Sequence, residues 1–191
     1  GKAEELLWQT CATLMQAGIP AFPFAGTLLG LIRNGELLAF DKDLDIAVWM
    51  DSWGACCTEL EKAGWVRQGM RIDYANYRDY AHPGLGITLD VCGLDRTGKQ
   101  ITGGFALPGY ADDYQRVSIF PHFDLIERST EAGHVWFPRQ PEIILNAFYG
   151  DWRTPNPNWD TVLSARNLQK FTLLVRCYGY HRLIQQWLFG K

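Results

Sequence analysis

Phe24-Ala-Gly-Thr-Leu-Leu-Gly-Leu-Ile-Arg33, followed after a short gap by Phe40-Asp-Lys-Asp-Leu-Asp-Ile-Ala-Val48, decides how this chain is read. A Gly-Thr turn stands shortly before two aspartates spaced two apart. Leu44 to Met50 alternates as a strand does, with Leu44, Ile46 and Val48 on one face and Asp43, Asp45 and Ala47 on the other. Asp43 and Asp45 therefore project together. Two hard oxygen ligands at that separation suit Mg²⁺, with Mn²⁺ as a substitute, shared with the phosphate oxygens of a substrate. Gly26 lets backbone approach a phosphate closely, and a helix opening at Gly26-Thr27 offers N–H groups and a partial positive charge. The Thr27 hydroxyl adds a donor, Arg33 on the same short helix adds a bidentate cation, and Lys42 adds a second cation. Asp41 reads as a turn residue beside the pair.

Working outward, residues 3–17 have the spacing of a helix and Gly18 ends it. Ile19 to Phe24 reads as a short strand and Thr27 to Arg33 as a short helix. Asp51-Ser52 should cap a helix that runs to Ala63 and stops at Gly64. Trp65–Gln68 and Ile72–Tyr80 read as strands. In Gly86–Cys92 a further strand puts Thr88, Asp90 and Cys92 on one face, and Asp90 becomes the third carboxylate if the two acidic strands are neighbours. Residues 95–137 look irregular, with short β pieces at Arg116–Ile119 and His134–Phe137. Pro141–Tyr149 is a helix ended by Gly150, Asp151–Asp160 an extended connection, and 161–189 a helix or a pair broken at Gly179. The order suits an α+β fold, a mixed sheet flanked by helices. It is read as one domain over 1–160 with a C-terminal helical segment, 161–191, packed on it.

The composition, 47% hydrophobic and 14% aromatic over 191 residues, is that of a folded globular chain. No apolar run is long enough to span a bilayer, and the opening Lys2-Ala-Glu-Glu-Leu-Leu-Trp8 is helix-like rather than signal-like. Five cysteines, an odd number with no Cys-x-x-Cys, favour a reducing, cytoplasmic setting. The net charge of −3 is unevenly spread: residues 1–160 hold all 21 acids and 13 of the 18 bases, a net of −8, while 161–191 hold five bases and no acid. A globally acidic protein is a poor binder of nucleic acid. The basic tail reads first as a helix packed on the core and second as a surface for peripheral membrane contact at the inner face.

Other readings of the acidic stretch fit less well. A calcium loop counted from Asp41 would need glycine at Ile46 and glutamate at Ser52. The Gly-Thr turn lacks the Lys-Ser/Thr ending of a P-loop. No Gly-x-Ser-x-Gly elbow supports a serine triad. The four histidines have no zinc-like spacing, although one could act as a base. Tyr74, Tyr77 and Tyr80 divide between core and groove, where they could stack a base or sugar. Trp152 and Trp159 read as packing anchors.

Gly26-Thr27-Leu28-Leu29-Gly30, Arg33 and Phe40-Asp41-Lys42-Asp43-Leu44-Asp45-Ile46 resemble the signature of the LicD/fukutin family within the nucleotidyltransferase superfamily. Its later strand aspartate matches Asp90 in Ile87-Thr-Leu-Asp-Val91, and its tail pattern resembles Pro141, Leu145, Tyr149-Gly150-Asp151-Trp152 and Pro155. Lys42 departs from the acidic residue often found there. The resemblance implies a polymerase-β-like palm. It also implies metal-dependent transfer of a phospho-substituent, such as ribitol phosphate, glycerol phosphate or phosphocholine, from a CDP-activated donor to a glycan hydroxyl. CMP leaves. The setting would be cell-surface polysaccharide or glycan synthesis, for instance of teichoic acid or capsule, with an acceptor that can be lipid-linked. Asp43, Asp45 and Asp90 would hold Mg²⁺ and carry the chemistry; Gly26, Thr27, Arg33 and Lys42 would grip the donor. The alternative within the superfamily is a nucleotidylyltransferase that passes NMP from an NTP to a small molecule, sugar phosphate or protein.

Overall fold

A computed structural model describes residues 1–39, 43–69, 74–106 and 114–189. Phe40, Asp41, Lys42 and the start of the strand expected at Ile72 lie outside them. Helix α1 (Lys2–Gln16) buries Leu7, Cys11 and Leu14. Strand β1 (Ala21–Pro23) leads into α2 (Ala25–Arg33), and β2 (Asp43–Trp49) carries the acidic stretch. After a single 3₁₀ turn, α3 (Trp53–Lys62) packs beside α1. Strands β3 (Val66–Arg67), β4 (Tyr77–Ala81), β5 (Thr88–Thr97), β6 (Gln100–Ala106) and β7 (Tyr114–Pro121) follow. A hairpin of β8 (Leu125–Thr130) and β9 (Gly133–Pro138), α4 (Pro141–Tyr149), β10 (Leu168–Phe171) and α5 (Leu173–Phe189) complete the chain.

Eight strands form one mixed sheet in the order β1-β2-β5-β6-β7-β10, with β4 pairing β5 off this path and β3 pairing β4. Only β2 and β5 run parallel among these pairs. The first half of β5 is flanked by β2 on one side and β4 on the other, and its end turns away to pair with β6. Each face of the sheet has its own core. Leu44, Ile46, Val48, Leu89 and Val91 pack under α1 and α3. Ala47, Trp49, Leu94, Phe120 and Phe123 join α2 and α4 on the other face. The alternation read in the two acidic strands is thus the division between two cores, and the acids belong to the second face.

Three expectations are corrected. The described residues between 95 and 137 are not irregular but hold the end of β5, β6 and β7 and the β8–β9 hairpin. Their pattern is obscured by a buried Arg116 and by Gly104, whose Cβ position would lie 1.9 Å from the Arg116 carbonyl oxygen at φ +123°. The stretch 161–189 is not all helix, since β10 joins β7, and α5 then runs unbroken through Gly179. That glycine serves packing: a Cβ there would sit 2.7 Å from Leu163 Cδ2. Ser52 precedes α3 but makes no side-chain cap, its hydroxyl donating to Asp51 Oδ1 instead.

Candidate active site

Register brings the acids together. Asp45 on β2 is the Cα partner of Asp90 on β5, and Asp90 is the Cα partner of Asp79 on β4. Three carboxylates thus form one row across three adjacent strands. Asp43 stands two residues along, paired with Thr88. All four line one cleft of about 1550 Å³, together with Gly26, Arg33, Tyr74, Tyr77 and the wall formed by Tyr149, Trp152 and Trp159. Burial pushes Asp90 up to about 8, and the charge of Asp45 adds to the rise; the Tyr77 hydroxyl, which donates to Asp90 Oδ2, works against it. The same burial, with the Asp90 charge, raises Tyr77, which therefore stays protonated as a donor.

Helix α2 is pinned to the row. The Asp45 backbone N–H donates to Thr27 Oγ1 at 2.7 Å, and the Thr27 N–H donates to Asp45 Oδ2 at 3.1 Å. A strand carboxylate thereby caps the helix start, where negative charge is favoured. Thr27 is 2% exposed, so its side chain orients Asp45 rather than facing the cleft. The helix begins at Ala25, earlier than expected, with Ala25 at φ +41° on the cleft wall. Gly30 is fixed by contact: a Cβ there would lie 2.8 Å from both Glu36 O and Leu38 N, so α2 lies close against the chain returning to β2. Arg33 lines the cleft and donates to Trp152 O and Asn34 Oδ1.

Gly26, Arg33, Asp43, Asp45 and Asp90 therefore share one cleft, Thr27 stands behind it, and Lys42 lies outside the described residues. Asp79 escaped the sequence reading. Its signal was the period of two with Tyr77, but the pairing of β4 with β5 that makes it matter is non-local. One of its oxygens, Oδ1, is buried without a hydrogen-bond partner. Tyr74 and Tyr77 are cleft residues and Tyr80 is core. Trp152 and Trp159 both pack and line the cleft. No histidine is among the lining residues.

The donor set fits a divalent cation. It consists of carboxylate oxygens on one face, partly desolvated, whose repulsion a cation would relieve. Among the described residues no three His, Cys, Asp or Glu side chains already gather closely enough to hold one. Oxygens of Asp43, Asp45 and Asp90 are instead taken by Thr88, Thr27 and Tyr77.

Residues 18–84 match the model of the LicD/FKTN/FKRP nucleotidyltransferase domain. Among characterised proteins, the chain is similar to the ribitol-5-phosphate transferase FKTN of Homo sapiens, at 26% identity over 87% of this chain and 36% of that protein. The same enzyme of Mus musculus is 22% identical over 88% of this chain and 37% of that protein. The chain thus spans a little over a third of these relatives. Among solved structures, the lincosamide antibiotic adenylyltransferase LnuA, lincomycin-bound, superposes with a TM-score of 0.52 at 12% identity, over 74% of this chain and 84% of that one. The structure of ANT(2")-Ia with adenylyl-2"-tobramycin gives 0.52 at 15% identity, over 100% and 91%. At such identities the likeness establishes the nucleotidyltransferase fold.

Proposed function

We propose, from the match of residues 18–84 to the LicD/FKTN/FKRP nucleotidyltransferase domain and the similarity to FKTN, that this chain is a LicD/fukutin-family, metal-dependent transferase that moves a polyol phosphate from a CDP-activated donor to a glycan hydroxyl and releases CMP. Ribitol phosphate is the first candidate, from the FKTN relatives; glycerol phosphate and phosphocholine are the others. The observation that carries the reading is the row Asp45–Asp90–Asp79 beside the start of α2.

Asp43, Asp45 and Asp90 would hold Mg²⁺ or Mn²⁺, which when bound neutralises charge on the diphosphate and on departing CMP. The chain's own residues do the rest. Gly26 admits the donor phosphates close to backbone, Arg33 supplies a fixed cation, and Thr27 keeps Asp45 aimed. The acceptor oxygen attacks the phosphorus that bears the polyol. The bond from that phosphorus to the bridging oxygen breaks, CMP takes the electron pair, and Asp90 accepts the hydroxyl proton. Phosphoryl transfer requires chiefly such positioning and charge compensation. The cleft's aromatic wall suits a base or sugar face.

Incubation with CDP-ribitol, CDP-glycerol, CDP-choline and each NTP in the presence of Mg²⁺ and glycan acceptors tests this. CMP release from one CDP donor supports the reading. Pyrophosphate release from an NTP would mean nucleotidyl transfer instead, and no turnover of any donor would reject both.

A further inference from the structure

Helix α5 packs on the domain by one side only. Val175 is buried, and Gly179 lies against Leu163 and Val162. The opposite side runs Leu173, Cys177, Tyr180, Ile184 and Trp187, at the alternating spacing of four and three that keeps residues on one face of a helix. Leu173 is 75% exposed, Tyr180 60%, Ile184 55% and Trp187 84%. With Leu183 and Leu188, α5 holds six of the eight large apolar side chains that stand exposed among the described residues. From Tyr180 onward every side chain described on the helix is exposed, so its last turns stand clear of the domain. The packed tail expected from sequence is thus packed only along its first half.

Charge says what such a face suits. Residues 161–191 carry five bases and no acid, in a chain whose first 160 residues are net −8. Arg176 and His181 flank the apolar stripe. No described helix is long and apolar enough to cross a membrane. A basic helix with aliphatic residues and tryptophan on one face is the pattern of a helix that lies in the plane of an anionic bilayer. Tyr178, on another side of the same helix, lines the cleft.

We propose that α5 is an interfacial helix that seats the domain on an anionic phospholipid surface, with Leu173, Tyr180, Ile184 and Trp187 entering the headgroup boundary. Tyr178 then sets the cleft beside the bilayer, where a lipid-borne acceptor is presented. The binding needs neither nucleotide nor cation, so its test is independent of the reaction assigned above.

The chain is sedimented with vesicles of phosphatidylcholine alone and with vesicles that also contain phosphatidylglycerol, at low and physiological salt. The expected result is binding at least about tenfold tighter to the anionic vesicles, weakening as salt screens the charge. Trp fluorescence should shift to the blue on binding. Ile184→Ser with Trp187→Ser should weaken binding by about tenfold or more with Tm unchanged, since both side chains are exposed in the free protein. Equal binding to both vesicle types, or none to either, overturns the proposal. So does a concentration-dependent dimer abolished by the same double variant, which would assign the stripe to a second copy of the chain.

Discussion

Asp90 stands between two other carboxylates, and that position governs its chemistry. Its folded-state value of about 8 lies above that of an aspartate in an unfolded chain. The stability it contributes is therefore complete below the ordinary carboxylate range and is lost as pH rises toward about 8. Metal-free protein should lose thermal stability across that window, and Asp90→Asn should flatten the slope; identical slopes in thermal melts would contradict the assignment. Tyr77 holds the same carboxylate by a hydrogen bond. Tyr77→Phe should weaken Mg²⁺ affinity about 10–100-fold, as loss of a ligand's hydrogen-bond partner commonly does, which titration of CDP binding against Mg²⁺ would show. Asp43→Ala or Asp45→Ala should reduce CMP release by roughly 10³-fold or more. Retention of wild-type rates by either would remove them from the chemistry.

At the scale of elements, α2 and its contacts decide how the row is presented. Gly30→Ala drives a methyl into the backbone at Glu36 and Leu38. It should cost about 2 kcal/mol and lower Tm by about 4–8 °C; an unchanged melt would show that the segment gives way freely. The elements legible in the sequence were those whose two faces differ. In β2 and the first half of β5, aliphatic residues alternate with acids or small polar residues, because one face meets α1 and α3 and the other meets the cleft. Strands β6 and β7 gave no such signal. Gly103 and Gly104 leave room for neighbours where side chains would mark a strand, and Arg116 sits buried where an aliphatic residue would be expected. The continuation of β5 past Cys92 was hidden by Gly93, a stop signal in sequence but here a place where Met50 packs close. Asp79 was missed because its importance lies in the partner of its strand and not in the strand itself.

At the scale of the whole molecule, Arg116 ties the segment ahead of β10 to β7. Its guanidinium donates to the carbonyls of Thr161 and Val162 and to Ser118 Oγ, and burial lowers it to about 10. Arg116→Met should leave these carbonyls without their donor at a cost of about 3 kcal/mol and lower Tm by about 6–12 °C. The 159–165 wall of the cleft should loosen with it, which hydrogen exchange would report; unaltered protection there would contradict the tie. The parallel pairing of β2 with β5 has a different reach. The chain from Met50 to Ile87 separates the two strands, so Asp45 meets Asp90 only through a long-range closure. Such long-range closures come slowly, and a nascent chain still short of Thr88 lacks Asp90, the middle carboxylate of the row. On the proposed function, donor and cation would bind only the completed row and so stabilise the native ensemble: at a hundred times the dissociation constant they should add about 2.7 kcal/mol against unfolding.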